Sequence, residues 1–300
     1  MVAEVLDALK PRPGGRYADG TVGGAGHAAS VLNASSPTGW LSGCDRDGAA
    51  VEAARARLAE FDGRFEIRRG NFAELAGWIP AGSCDGVLLD LGVSSPQLDS
   101  PARGFSFQQE GPLDMRMDTR QSLTAADLVN GASAGELAGI FWEFGGERDS
   151  RRLAQAIVHD RQRRKFETTG QLADLLERLM PRHGKKTHPA TKVFQALRIA
   201  VNDEMGSLKA GLAAALEILK PGGRLAVITF HSLEDRAVKN FGRARARDYV
   251  SAGAVDVPEL RAPRAPELKW VTHKAIKPGG VELVENPRSR SAQLRVFEKT

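Results

Sequence analysis

Asp85-Gly-Val-Leu-Leu-Asp-Leu-Gly-Val-Ser-Ser-Pro-Gln-Leu98 decides how the rest of the chain is read. Val87-Leu88-Leu89 is a short apolar run, the pattern of a strand buried on both faces. It meets a carboxylate at Asp90, then a glycine, two hydroxyls, a proline and an amide. Open α/β sheets build their ligand sites at the carboxyl ends of such strands. An ordinary strand with a capped loop behind it would look the same in isolation, so the flanking stretches carry the decision.

Upstream the same unit recurs. Val2, Val5, Leu6 and Leu9 fall at helical spacing, and Pro11 and Pro13 stop that helix. Arg16-Tyr-Ala-Asp19 is a short strand ending in a carboxylate. Gly20-Thr-Val-Gly-Gly-Ala-Gly26 follows as a glycine turn, and His27-Ala-Ala-Ser-Val-Leu opens a helix. Glycines let a backbone approach a ligand, and a helix start aims its unpaired N–H groups at it. Trp40–Cys44 is a second strand ending in Asp45, which lies 19 residues past Gly26. An acidic residue that holds a ribose diol stands about 20 residues on in such folds. A helix is predicted over Gly48–Glu60 and a third strand over Phe65–Arg68, followed by Gly70-Asn-Phe72. Four β/α repeats in about 100 residues indicate a doubly wound parallel sheet.

Downstream the pattern changes. Residues 103–118 lack periodicity and read as a long ordered loop. Residues 124–180 read as helices without strands, including Ala134–Trp142, Ser150–Arg163 and Thr169–Met180. Helical spacing resumes at His188-Pro-Ala-Thr191, with Val193, Leu197 and Ala200 as its apolar stripe. Gly222–Phe230 is a fifth strand, and Ser232 with Asp235 matches a capping box that starts a helix. Residues 242–285 resist assignment, and Ala292–Phe297 alternates as a last strand. The expected layout is a sheet domain of residues 1–103 and 188–300 with a helical insert, 104–187.

Composition is that of a globular chain, 42% hydrophobic and 26% charged over 300 residues, enough for one large domain or two smaller ones. No apolar run nears the roughly 20 residues of a membrane span. Residues 1–15 lack the apolar core of a signal peptide. Two cysteines, Cys44 and Cys84, make neither a disulfide framework nor a zinc site, so no metal is expected and a cytoplasmic setting is the default. The net charge of +5 is uneven. Residues 1–103 carry −3 and residues 104–300 carry +8. Local basic runs, Arg161–Lys165, Arg182–Lys186 and Arg243, Arg245, Arg247, are of the kind that neutralises phosphates.

Two ligands compete for the sheet. Gly24-Ala-Gly26-His-Ala-Ala29 fits the dinucleotide fingerprint G-x-G-x-x-A, which favours an NAD-dependent oxidoreductase. Against it, Asp19 ends the first strand just before the glycines, where a pyrophosphate would be repelled and an ammonium group welcomed. Asp90 adds another acid. Three acids at three strand ends fit S-adenosylmethionine, with its sulfonium, ammonium and ribose diol. A non-catalytic RNA-binding assembly protein is a further alternative.

Longer blocks carry a resemblance. Residues 85–118, His188–Asn202, Phe230–Arg236 and Asn286–Ser291 closely resemble the bacterial 16S ribosomal RNA cytosine-N4 methyltransferases of the MraW type. Two departures stand out. The family's opening His-x-Pro-Val segment is absent, and its Gly-Gly-His is Ala25-Gly26-His27 here. The resemblance implies a Rossmann-like S-adenosylmethionine-dependent methyltransferase with an inserted helical, RNA-recognising domain. It implies cofactor contacts at Ala25, Gly26, His27, Asp45, Phe72, Asp90 and Gln97, with Phe72 placed to stack on adenine. Its partner would be 16S ribosomal RNA or the small ribosomal subunit, with no membrane; a homodimer is left open. Ser95-Pro96 also resembles the start of the Ser-Pro-Pro-aromatic motif of cytosine-N4 DNA methyltransferases, although Gln97 replaces the second proline. Asp90 and Ser95 are therefore the catalytic candidates. They would accept the hydrogens of an amine whose lone pair is delocalised into the ring and which must be held in line with the methyl donor.

Overall fold

The computed structural model describes residues 1–181, 188–251 and 256–300. The basic run Arg182–Lys186 lies outside them. The chain divides into two compact units, Met1–Gly92 with Gly206–Thr300, and Val93–Met205.

The first unit is built on a seven-stranded sheet. Its strands are β1 (Arg16–Asp19), β2 (Trp40–Asp45), β3 (Phe65–Arg69), β4 (Cys84–Asp90) and β5 (Leu219–Thr229). After a two-stranded ribbon of β6 (Tyr249–Ser251) and β7 (Arg261–Pro263), the sheet is completed by β8 (Leu268–Trp270) and β9 (Gln293–Lys299). The order is β3-β2-β1-β4-β5-β9-β8. The first five are parallel, and β9 runs antiparallel to both β5 and β8. This is the doubly wound α/β sheet expected from the repeats. A dinucleotide-binding sheet continues with a sixth parallel strand beside the fifth. Here an antiparallel strand takes that place, which disfavours the oxidoreductase reading.

Alternation along the strands sorts the core. Leu88, Ala226, Ile228, Leu294 and Val296 face one side with Val5, Leu9, Leu32 and Leu58 of the helices Val2–Leu9, Gly26–Ala34 and Gly48–Leu58. Val87, Leu89, Val227 and Phe297 have the opposite parity and are equally buried. The helix Ser232–Arg245 lies on that second face. A Cβ on its Gly242 would come within 2.1 Å of the Phe297 ring, and its Asp235 takes a bidentate ion pair from Arg295 of β9, at 2.6 and 3.1 Å. Its N-cap is one residue earlier than the Ser232/Asp235 box read from the sequence. His231 caps it, and Glu234 Oε2 accepts the N–H groups of Phe230 and His231 at 2.8 and 3.2 Å. Asp235 is drawn away to Arg295, which local spacing cannot reveal.

The second unit is helical: Ser95–Asp99, Ala125–Gly131, Ala134–Glu143, Ser150–Asp160, Thr169–Leu179 and Ala190–Val201. Leu137, Phe141, Leu153, Ile157, Leu172, Leu176, Val193, Phe194 and Leu197 form its core. The boundaries read from the sequence, 103/104 and 187/188, fall inside this unit, because Val93 and Leu98 before the first and Val193, Phe194 and Leu197 after the second pack into its core. The 103–118 loop is ordered by Asn202. Its side chain accepts the Met117 N–H at 2.7 Å and donates to the Met115 carbonyl at 2.8 Å. Arg161, grouped by sequence with a basic run, is committed to structure. Its guanidinium donates to the carbonyls of Val129 and Ala132, at 2.9 and 2.6 Å, and so closes the end of the helix Ala125–Gly131. Arg163, Arg164 and Lys165 are exposed beside Asp160, Asp174 and Glu177. Among the described residues no helix is long and apolar enough to cross a membrane.

Candidate active site

The carboxyl ends of β1, β2 and β4 bring Asp19, Asp45 and Asp90 to one edge of the sheet. The turn after β1 is stitched to its neighbours on both sides. The Gly20 N–H donates to the Leu88 carbonyl at 3.0 Å and the Val22 N–H to the Cys44 carbonyl at 3.1 Å. Asp45 fixes the next step: Oδ2 accepts the Gly23 N–H and Oδ1 the Asp47 N–H, both at 2.9 Å. Each oxygen keeps acceptor capacity beyond these bonds.

Ala25 caps the helix Gly26–Ala34 in a left-handed conformation, φ 59° and ψ 26°, and is fully buried. A non-glycine residue there costs on the order of 1 kcal/mol, and such strain collects at ligand-binding turns. The conformation explains why the resembled family has glycine at this place. Gly26 and His27 begin the helix, whose N-terminal N–H groups have no intrahelical partners.

His27 reaches back to Asp90, with Nε2 3.5 Å from Oδ2. Burial depresses the imidazole pKa, but the hydrogen bond to Asp90 and the charges of Asp90 and Asp19 outweigh it, so the net shift is upward. His27 Nδ1 and Asp90 Oδ1 are both sealed from solvent with no hydrogen-bond partner among the described residues. Buried polar atoms in folded proteins are nearly always paired. An unpaired acceptor and an unpaired ring nitrogen on adjoining side chains are what a site awaiting a polar ligand presents. Asp19 is 2% exposed. Burial pushes its carboxyl up to about 6 against the opposing Thr21 N–H and His27, with the charges of Asp90 and Asp45 adding to the rise. Burial likewise raises Asp45, against the Asp47 and Gly23 N–H groups.

Thr21 was not legible as a site residue. Its hydroxyl lies 3.4 Å from Asp19 Oδ1 and accepts the Asp90 N–H at 2.6 Å, coupling the ends of β1 and β4. A threonine two residues past the strand-end acid Asp19 is the hint the sequence offers; its link to Asp90, 69 residues on, comes only from the fold. Phe72 follows β3 as expected but is 9% exposed. A Cβ on Gly211 of the helix Glu204–Ile218 would fall 2.2 Å from its ring. Ser95 and Gln97 belong to the second unit. Ser95 is exposed at the start of its short helix, and the buried Gln97 accepts the Ser94 N–H at 2.9 Å, completing a capping box. Cys44 is buried with its thiol 3.5 Å from the Gly20 carbonyl, and burial drives its pKa far upward. It is therefore a poor nucleophile despite adjoining Asp45.

The family model described as the MraW methylase family matches residues 1–300. The chain belongs to that family. Among curated relatives, the ribosomal RNA small subunit methyltransferase H of Geobacter sulfurreducens is 52% identical, over 100% of this chain and 97% of its own. The proteins of the same name from Citrifermentans bemidjiense and Symbiobacterium thermophilum are 52% and 48% identical. They cover 99% and 100% of this chain, and 96% and 95% of their own. The edge described above presents three carboxylates, and its thiol, Cys44, is too deeply buried and too weakly acidic for covalent attack on a base.

Proposed function

We propose that this chain transfers a methyl group from S-adenosylmethionine to the exocyclic N4 amine of a cytidine in 16S ribosomal RNA. The observation that carries the proposal is the pairing of His27 and Asp90, each with a sealed, unpartnered polar atom, at a strand edge bearing two more carboxylates. Full-length relatives named as small-subunit RNA methyltransferases support the substrate. S-adenosylmethionine, when bound, supplies the electrophilic methyl on its sulfonium. Asp45 would hold the ribose diol and Asp19 the ammonium group, while the turn 23–27 lends backbone N–H groups. Asp90 would orient the target amine and accept its hydrogens. Ser95 and Gln97 belong to the other unit and are not needed for this assignment. A ribosomal RNA substrate sets the work in the cytoplasm.

Mass spectrometry of 16S ribosomal RNA nucleosides from cells lacking this protein should show loss of one N4-methylated cytidine. Its persistence would overturn the proposal.

Asp45→Ala should weaken S-adenosylmethionine binding by about 1.5–3 kcal/mol, the usual worth of hydrogen bonds to a charged group. Calorimetric titration reads this directly, and unchanged affinity would remove Asp45 from the site.

A pH dependence follows from Asp19. Its folded pKa, about 6, lies above the ordinary value of 3.8, so the fold favours the neutral form. The associated stability is present below the ordinary carboxylate range and is lost as pH rises through about 6. An ammonium ligand favours the anion and pulls the pKa back down. Binding at pH 6 should therefore release protons, and affinity should fall as pH drops below 6. Calorimetry in two buffers of different ionisation enthalpy measures the release. Its absence would detach Asp19 from the ammonium.

A further inference from the structure

The helix Ala134–Glu143 buries Leu137 and Phe141 and turns a different kind of face outward. Gly135 and Gly139 are exposed one turn apart, and Trp142 closes the row at 62% exposed. A tryptophan is normally well buried. Gly139 is equally out of place. A Cβ built on it meets none of the described residues within 4 Å, and its φ lies outside the left-handed range. Neither packing nor backbone geometry asks for glycine there, yet glycine in a helix interior costs about 1 kcal/mol relative to alanine. What the glycines leave is a flat floor beside an indole ring.

The facing wall is basic. Arg148, Arg151 and Arg152 line the same cavity of about 840 Å³, with Asp149 the one acid among its described lining residues. Arg152 is held between Asp149, at 3.5 Å, and the Leu179 carbonyl, at 3.4 Å. The side chains of Arg148 and Arg151 make no hydrogen bond or ion pair with the described residues.

We infer that this groove binds a single-stranded segment of RNA, one base stacked on Trp142 over the floor at Gly139 and adjacent phosphates taken by Arg148 and Arg151. The inference rests on the RNA substrate proposed above and gives the second unit a specific surface for it. An aromatic platform beside arginines is how single strands are held without reading sequence. A second copy of this chain is the rival occupant, since small residues one turn apart also let helices approach. A two-fold contact through this face would gather six arginines against two aspartates, so charge favours the polyanion.

The test is fluorescence anisotropy with a fluorescein-labelled twelve-residue oligocytidylate. Trp142→Ala should weaken binding roughly five- to a hundredfold, from the worth of one stacked base, and Trp142→Phe far less. The pair Arg148→Gln and Arg151→Gln should lower the slope of log affinity against log salt by about 1.4, at 0.7 per lost phosphate contact. Gly139→Leu fills the floor without touching a charge or a core contact. It should weaken binding while the melting temperature holds or rises. Unaltered affinity in Trp142→Ala and Gly139→Leu would overturn the inference. So would light scattering that shows a dimer dissolved by Gly139→Leu with RNA affinity intact, since the face would then belong to a second copy. Wild-type methyl transfer to small subunits keeps the two proposals apart. Transfer with binding indifferent to Trp142 sinks the groove alone. Trp142-dependent binding without transfer sinks the methyltransferase reading and leaves the groove.

Discussion

An Asp90→Asn variant is expected to fold normally and to transfer methyl groups about 10²- to 10⁴-fold more slowly, the usual worth of a positioned proton acceptor. The change is nearly isosteric. The link between β1 and β4 survives it, because Thr21 bonds the backbone N–H of Asp90 and not its carboxylate. What is lost is the sealed Oδ1 acceptor and the negative charge 3.5 Å from His27. An amide can turn its oxygen toward the amine, but it carries no charge to support the developing cation. A second readout separates the chemistry from packing. Asp90 raises the His27 pKa by hydrogen bond and by charge, against the opposing pull of burial. In Asp90→Asn the imidazole should titrate at lower pH, measured by NMR. A wild-type rate alongside a lowered His27 pKa would reduce Asp90 to a partner of histidine and remove it from catalysis.

Arg295→Met should cost about 3–5 kcal/mol of stability, the penalty for leaving one member of a buried ion pair without its partner. The side chains of Arg295 and Asp235 are only 9% and 15% exposed and meet through two bonds. The melting temperature should fall on the order of 10 °C. The double change Arg295→Met with Asp235→Leu should recover most of the loss, because it removes both charges from a face already lined by Phe297 and Gly242. Thermal melts followed by circular dichroism measure both. A single variant as stable as the wild type would show that Asp235 finds water or another cation. The pair joins the helix after His231 to β9, the antiparallel strand that sets this sheet apart from a dinucleotide-binding one.

The site is an acidic edge whose members oppose one another. Burial and the charges of Asp90 and Asp45 raise the cost of ionising Asp19, and His27 offsets part of it. A cationic ligand relieves this arrangement. The strain at Ala25 sits at the same edge, where a left-handed residue starts the helix Gly26–Ala34.

Local chemistry alone was sufficient for much of this. Runs such as Val87-Leu88-Leu89 and the turn 20–26 depend on spacing within a few residues, so strands, glycine turn and strand-end acids could be read off directly. The order of β9 and β8 could not, because it is decided by pairing between residues tens of positions apart. The fate of individual charges was equally hidden. Arg161 looked like its neighbours Arg163 and Arg164, yet two carbonyls at the end of another helix claim it. Asp235 looked like a cap, yet Arg295 takes it. Residues 190–201 looked like the return of the sheet domain, but their apolar stripe packs into the helical unit. A charged or apolar side chain offers several partners of similar worth, and only the folded chain, by bringing one of them within 3 Å or under its core, makes the choice.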